Sequence, residues 1–526
     1  MTSAPDNGIF DPHQSSLLEG TLPAAGPASL FIDGQWVPAR DGGTRRICNP
    51  ADGSFVGEVS EAGEDDTRRA IAAARRAFEE GEWRNTPARQ RGDVLLEVAR
   101  AIRENAEEFA AAESADTGKR LAESRMDMSD IADSFEYFGT LAGHHAGRVV
   151  DAGDPTVASR VVAEPIGVCA LITPWNYPLL QVAWKVAPCL AAGNAFVLKQ
   201  AELTPHTAMM LMNVLHSAGV PAGVANLITG AGADCATPLS TSPEVDMVSF
   251  TGGLVTGRLI ARNAAEGIKR VALELGGKNP NVIFADANYP AALDNALNAA
   301  FLHSGQVCSA GSRLIVEESI AKKFTADLVR RASQIKLGGP TDEAAETGSV
   351  ISAAHRDKIA DYVDRARQQG ATIATGGRRA TAGDNEGPHS TGATDLSAGQ
   401  FYLPTVITNC DRSMDCVHAE AFGPTVTVET FTDEAEAIAI ANDTSYGLAG
   451  AVWTEDAGKG ERVAGALRHG TVWINDFHPY LPQAEWGGMK QSGNGRELGP
   501  TGLAEYQEHK HIYRNLNPAV TGWFAE

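Results

Sequence analysis

The chain has 526 residues, 43% of them hydrophobic and 21% charged, and a formal charge of −22. That length exceeds one simple core and implies two or three domains. Such acidity repels nucleic acid and anionic lipid at long range, so neither is expected as a partner.

Residues 1–27, rich in Pro, Gly and Ser, predict a flexible tail, and no basic start leads into an apolar core as a secretory signal would. Phe31 to Trp36 predict a hairpin turning at Asp33-Gly34. Amphipathic helices follow near 64–80 and 87–113. The first opens on Asp65 and Asp66, charges suited to a helix N-terminus; the second is apolar at 94, 95, 98 and 102, one helical face. A third helix is expected over 121–144, and alternation over 148–165 predicts a pair of strands. The run from Pro165 to Trp184 carries no charge. Pro165, Pro174, Asn176, Pro178 and Gln181 interrupt it, so a buried strand, a turn and a helix fit better than a membrane span.

From there, strands at 168–173, 194–199, 225–229, 247–250 and 269–273 alternate with helices at 181–191, 205–218 and 254–265, the pattern of a doubly wound parallel sheet. The alternation restarts after 280. Strands at 281–284, 313–317, 425–431, 449–453 and 471–474, with helices near 289–303, 319–333, 353–369 and 433–442, predict a second α/β domain. Residues 376–400 are expected to form a long surface loop. An edge strand is expected around Tyr506, Ile512 and Tyr513.

The seven cysteines are scattered and odd in number, which argues against a disulfide framework and suits a reducing cytoplasm. Cys410, Cys416 and His418 lie close together but lack the paired ligands of a structural zinc site, so no metal is expected. A lone cysteine is most often a small buried hydrophobe. Cys308 has a different setting. The stretch Gly305 to Arg313 places it among small and polar residues, between a helical run and a β-type run, where a thiol can face a cleft.

Other segments offer partners for it. Glu274 follows a strand and precedes Gly276-Gly277, so it can swing into a cleft as a general base. Pro174 and Pro178 fix a turn that holds the Asn176 amide, a rigid donor of the kind an oxyanion needs. The stretch Phe250 to Gly257 joins a strand to a helix through glycines that let phosphate approach the helix N-terminus, although its spacing is not G-x-G-x-x-G. Lys199 and Glu202 are placed to bond ribose hydroxyls, and the carboxylate favours NAD over NADP.

Taken in order, these motifs resemble the aldehyde dehydrogenase superfamily from about Phe31 to the C-terminus. The matching stretches are PWNYP at 174–178, FTGG at 250–253, ELGGK at 274–278, GQVCSAGSR at 305–313, EAFGP at 420–424, NDTSYGLAG at 442–450 and GRELG at 495–499. The resemblance implies NAD-dependent oxidation of an aldehyde to a carboxylate through a cysteine thiohemiacetal and thioester. Cys308 would be the nucleophile, Asn176 and the Cys308 N–H the oxyanion donors, and Glu274 the base for hydrolysis. Lys185 and Glu497 would serve positioning and proton relay. Cofactor contacts would come from Ile172, Thr173, Pro174 and Trp175 after one strand, Lys199 and Glu202 after the next, and Gly232. Phe250, Thr251, Gly252, Gly253 and Thr256 would contribute too, as would Leu275, Gly276, Glu420 and Phe422, with Glu420 on the nicotinamide ribose. Gly253 stands where the family usually has Ser, and Gln200 where it often has Pro.

Within the superfamily the chain most resembles the glycine betaine aldehyde dehydrogenases, on Trp175 to Leu180, Trp184 and the run Asn475 to Gly488. This implies betaine aldehyde as substrate, with ω-aminoaldehydes or general aldehydes as alternatives. A trimethylammonium group donates no hydrogen bond and suits an aromatic cage. Tyr177, Trp184 and Trp486 match cage positions, with Phe477 and Ser309 nearby, and Leu302 stands where plant relatives carry a further tryptophan. The implied fold class is α/β: a doubly wound NAD-binding domain (28–146 and 167–276), an α/β catalytic domain (277–499) and a small β oligomerisation element (147–166 and 500–526). Arg270, Arg496 and Glu508 would lie near the contact of a cytoplasmic homodimer or homotetramer.

Overall fold

The computed structural model describes residues 29–144 and 147–524. The expected tail at 1–27 lies outside the described residues.

Eight strands among these residues form the first sheet, in the order Gly493–Asn494, Arg270–Leu275, Met247–Gly252, Val168–Ile172, Ala195–Lys199, Ala225–Ile228, Leu30–Ile32 and Gln35–Val37. The five from Arg270–Leu275 to Ala225–Ile228 run parallel. Every residue of Val168–Ile172 and Ala195–Lys199 is buried, as strands covered on both faces require. The parallel part of this sheet starts at Val168–Ile172, winds outward to Ala225–Ile228, then crosses back to the other side of its starting strand. The crevice at that reversal, beyond the carboxyl ends of the strands, is where open α/β sheets bind ligands. Thr173 to Asn176 and Gly252-Gly253 emerge there.

The helix Pro178–Ala192 begins with proline at its first turn and stops at Gly193, whose φ of 98° suits glycine. All of its residues are buried. The helices Ala88–Glu104 and Leu121–Leu141 lie beside it and pack closely on each other, because a Cβ on Gly92 would fall 2.3 Å from the Gly139 carbonyl oxygen. The helix expected over 87–113 breaks at Asn105, which leaves helical dihedrals and donates its side-chain N–H to the Ala101 carbonyl (2.8 Å). The expected hairpin turns at Asp33 and Gly34, both at positive φ.

The second sheet has the order Thr372–Thr375, Thr405–Thr408, Thr425–Phe431, Arg313–Glu317, Pro280–Ile283, Ala449–Trp453 and Thr471–Ile474, parallel except at its first pair. A third sheet pairs Val157–Pro165 with Gly147–Val150 and with Gln507–Asn515. Arg270 joins this sheet to the first, donating to the Gln507 carbonyl (2.7 Å) and the Glu508 carboxylate (2.9 Å). Arg496 instead donates to the Gly488 and Gly495 carbonyls. The helices Gly232–Thr241 and Ala457–Ala466 and the strand pair Thr44–Cys48 and Phe55–Ser60 add to the expected elements. Among the described residues no helix is long and apolar enough to cross a membrane.

The Gly92–Gly139 contact leaves no room for a methyl group. Gly92→Ala is expected to destabilise the chain by about 1–3 kcal/mol, read from the midpoint of urea unfolding.

Candidate active site

The helix Tyr289–Phe301 is followed by three left-handed residues, His303, Ser304 and Gly305, with φ of 47°, 53° and 68°. For residues with side chains this costs about 1–3 kcal/mol each and persists only when neighbours enforce it. Here they do. The Ser304 N–H donates to Thr347 Oγ1 (2.8 Å), and its hydroxyl donates to the Gly348 carbonyl (2.6 Å). Gln306 Oε1 accepts from the Ile351 N–H (2.9 Å). Beyond the turn, Asn279 Nδ2 donates to the carbonyls of Cys308 (2.8 Å) and Ala310 (3.0 Å). Cys308 is thus held from both sides.

It faces a cavity of about 240 Å³ that Asn176, Glu274, Gly276, Glu420 and Trp486 also line. Asn176 Nδ2 donates one N–H to the Gln306 carbonyl (2.8 Å), which fixes the amide and leaves its second N–H for the cavity. Glu274 is only 5% exposed, and neither carboxyl oxygen has a hydrogen-bond partner among the described residues. Burial and then the nearby Glu497 hold its carboxyl well above the usual range, against Lys185 and Arg496. Lys185 donates to Glu497 and to Ser249 Oγ. Burial, then Glu274 and Glu420, push the Cys308 thiol above its ordinary range, and the N–H groups of Ser309 and Cys308 only partly offset this.

An adjoining groove of about 470 Å³ follows the carboxyl ends of the first sheet. Ile172, Thr173, Lys199, Glu202, Gly232, Phe250 and Thr256 line it; Pro174, Trp175, Thr251, Gly252 and Gly253 line both spaces, so the two open into each other. Lys199 Nζ lies 3.4 Å from the Glu202 carboxylate. Gly253, the residue before the helix Leu254–Glu266, has open space where a Cβ would project. Leu275 and Gly276 line the inner cavity with Glu420 and Phe422. Burial pushes the Glu420 carboxyl up to about 7, and it accepts the Gly277 N–H (2.9 Å). A Cβ on Gly276 would fall 2.0 Å from that carboxyl, so glycine there permits the approach. Gln200 bonds Thr173 Oγ1 and the Pro174 carbonyl, bracing the turn from beneath.

On the other side of Cys308, Trp184, Tyr480 and Trp486 form a box, with ring centroids 5.5, 4.9 and 6.1 Å apart around the three pairs. Ser309 Oγ lies 2.8 Å from the Tyr480 hydroxyl, tying the box to the neighbour of the thiol. Tyr177 packs on His303, and the Lys119 ammonium covers its ring at 4.2 Å. Two expected substrate residues lie elsewhere. Leu302 lines a separate groove with Arg120 and Arg331, and Phe477 is buried against Trp473 beneath Gly311.

The structure also adds residues. Gln181 lines the cavity with its Oε1 buried and unpartnered, one turn from Tyr177 and Trp184 on the same helix; that spacing was visible in the sequence. His355 Nε2 lies 2.7 Å from the Phe422 carbonyl and holds that residue at φ 53°, while its ring packs on Trp175. No local pattern marked His355, Asn279 or Tyr480.

The sequence model described as the aldehyde dehydrogenase family matches residues 36–512. This chain belongs to that family. Among aldehyde dehydrogenases of known description, it is 52% identical to the betaine aldehyde dehydrogenase of Bacillus subtilis (strain 168), over 94% of this chain and 99% of the relative. It is 40% identical to the peroxisomal aminoaldehyde dehydrogenase 1 of Pisum sativum, over 94% and 97%. A crystal structure of betaine aldehyde dehydrogenase from Staphylococcus aureus in complex with NAD+ superposes with a TM-score of 0.92 at 50% identity, covering 95% of this chain and 97% of that one.

A thiol raised by burial and by neighbouring carboxylates ionises only at higher pH. In cofactor-free aldehyde dehydrogenase, iodoacetamide labelling of Cys308 is therefore expected to keep accelerating above pH 9. A plateau at or below neutral pH, read by mass spectrometry, would contradict the geometry.

Proposed function

We propose that this chain oxidises betaine aldehyde to glycine betaine with NAD+. The observation that carries the reading is the convergence of Cys308, Asn176 and Glu274 on one cavity, between a groove suited to a dinucleotide and an aromatic box. The groove fits such a group. Lys199 and Glu202 offer a donor and an acceptor to one ribose diol, the glycine-fronted helix start at Gly253 offers amides to a pyrophosphate, and Glu420 offers a carboxylate to the second ribose. Bound there, the dinucleotide supplies the hydride acceptor.

The residues of the chain do the rest. Cys308 gives up its proton to water and attacks the aldehyde carbon as a thiolate. The free N–H of Asn176 and the Cys308 backbone N–H hold the oxyanion of the thiohemiacetal. Loss of hydride leaves a thioester on Cys308. Glu274, once ionised, takes a proton from water as that water attacks the thioester, and the carboxylate product leaves. The bonded pair of Lys185 and Glu497 lies next to Glu274 and sets its charge. Trp486, at the cavity wall and backed by Trp184 and Tyr480, faces the quaternary ammonium by cation–π attraction.

A second reading, an ω-aminoaldehyde, is favoured by Gln181. Its unpartnered Oε1 can accept an N–H from a primary ammonium, which a trimethylammonium lacks. We also take 28–146 with 167–276, 277–499, and 147–166 with 500–526 as the nucleotide-binding, catalytic and oligomerisation units of a cytoplasmic dimer or tetramer. Support comes from Gln507–Asn515, an edge strand bonded on one side only among the described residues.

Catalytic efficiencies with betaine aldehyde, an aminoaldehyde and a simple aliphatic aldehyde test the reading. Trp486→Ala is expected to cost the quaternary substrate roughly 30-fold more than the aliphatic one, the equivalent of about 2 kcal/mol. Equal losses would remove the cage. Glu274→Gln is expected to lower kcat by about 10²–10⁴-fold while a rapid burst of NADH, matching the enzyme in amount, survives. Loss of the burst together with turnover would place Glu274 before the thioester instead.

A further inference from the structure

Glu485 and Thr501 take no part in the aldehyde chemistry, yet they close the segment that carries Trp486 and Glu497. The backbones of those two residues pair. The Trp486 N–H donates to the Glu497 carbonyl and the Glu497 N–H to the Trp486 carbonyl, each at 2.7 Å. Trp486 is a wall of the cavity, and Glu497 accepts from Lys185 behind Glu274. Between them the chain loops past the base. A Cβ on Gly487 would fall 2.8 Å from Glu274 Oε1, and Gly493 pairs with Glu274 in the first sheet. One loop therefore sets the cage wall, the space over Glu274 and the carboxylate bonded to Lys185.

The exit of this loop is strained. Leu498 has φ 58° and ψ 177°, a region that glycine alone normally enters, and its side chain is 2% exposed. Such a backbone persists only where its neighbours enforce it. The Leu498 carbonyl accepts the Gly502 N–H (2.9 Å), and the Gly499 N–H donates to the Pro482 carbonyl (2.9 Å). Gly499 is itself at φ 59°, and a Cβ there would fall 2.7 Å from the Glu485 carboxyl carbon. That close approach brings the carboxylate over the first turn of the helix Gly499–Ala504. Glu485 Oε1 accepts the Thr501 hydroxyl (2.8 Å) and, more weakly, the Thr501 N–H (3.4 Å). Pro500 has no N–H, so Pro482 and Glu485 together receive the donors of the first three helical residues. Its own N–H, and then the Thr501 hydroxyl, hold the Glu485 carboxyl below the usual range, which keeps at this helix start the anion that its dipole favours. Both residues are exposed, so the bond adds little to the stability of the whole chain, and its effect is on the loop.

We propose that Glu485, through Thr501, is a positioning residue that clamps the loop 486–497 and thereby sets both the fit of the cationic end of the substrate against Trp486 and the hydrolysis assisted by Glu274. The proposal rests on the reading of Trp486 as cage wall and Glu274 as base. With the clamp open, Leu498 relaxes toward ordinary extended backbone. The paired backbones of Trp486 and Glu497 then shift as one unit, so the indole and the carboxylate behind Glu274 move together. The two effects separate in kinetics. The fit at the cage acts up to formation of the thioester and appears in kcat/KM of the quaternary substrate alone. The hydrolysis step is common to all aldehydes and appears in kcat.

The test uses the full chain with Glu485→Ala, Glu485→Gln, Thr501→Val and the double variant E485A/T501V. Without substrate, hydrogen–deuterium exchange in a peptide spanning 484–498 is expected to run several-fold faster in E485A and in T501V. It is expected to run no faster again in the double variant, because both changes break one contact. The parent rate is expected in E485Q, whose amide oxygen still accepts from Thr501. In turnover, E485A is expected to lower kcat/KM for betaine aldehyde several-fold and to leave it unchanged for a simple aliphatic aldehyde. It is expected to lower kcat several-fold for both while the rapid NADH burst survives, and E485Q is expected to restore each value. Exchange at the parent rate in E485A, faster exchange with parent kinetics, or no rescue in E485Q would overturn the proposal. Faster exchange and a lower kcat, with equal losses of kcat/KM for the two aldehydes, would remove the cage and leave the clamp on the hydrolysis step.

Discussion

Four residues, Gly276 to Asn279, carry the chain from the last parallel strand of one sheet to a central strand of the other, and the site depends on how tightly they do so. Glu274 lies just before this passage. Gly276 has no side chain, so Glu420 closes against it. Gly277 donates its N–H to the same carboxylate. Asn279 reaches across to the carbonyls of Cys308 and Ala310 and accepts the Ala449 N–H (3.0 Å). One crossing therefore sets the spacing of base, thiol and ribose carboxylate. A longer crossing would let the two sheets shift relative to each other, and a misplacement of about 1 Å is enough to cost two orders of magnitude in rate.

The electrostatics follow from placing acids in a space with little water. Glu274 and the half-buried Glu420 line one cavity, and the buried Glu497 behind Glu274 is bonded by the Lys185 ammonium. Burial outranks attraction for Glu274 and Glu420, which leaves both ready to hold or release protons rather than fixed as anions. The surface shows the opposite regime. Exposed pairs such as Arg68 with Glu64 contribute little to stability, and the large net negative charge stays in solvent.

What could be read from the sequence was what lies contiguous along it. Buried strands such as Val168–Ile172 declare themselves by unbroken apolar runs, and the turn at Asn176 by its flanking prolines. Asn105 broke a helix that periodicity alone carried through, because its side chain competes for a backbone carbonyl. The helix Gly232–Thr241 was silent because it is short and contains Pro238. Thr44–Cys48 was silent because charged Arg45 and Arg46 sit on a mostly exposed strand. Within the site, Cys308, Glu274 and Asn176 were legible from their neighbours in sequence. His355 and Tyr480 were not, since each acquires its role from a contact with a distant segment, Phe422 for one and Ser309 for the other.

The pairing of Gly493 with Glu274 has a consequence for how the protein is made. The strand carrying Glu274 is covered along its outer edge only by Gly493–Asn494, and Gly493 must be glycine because a Cβ there would fall 1.8 Å from the Leu273 carbonyl oxygen. During synthesis the first sheet emerges from the ribosome more than two hundred residues before that cover does. Through that interval the nascent chain presents an open parallel edge, the feature most prone to pairing with a neighbouring chain. The second sheet, translated in between, has to fold beside it, and only the last stretch of the chain seals the edge and sets the carboxylate in place.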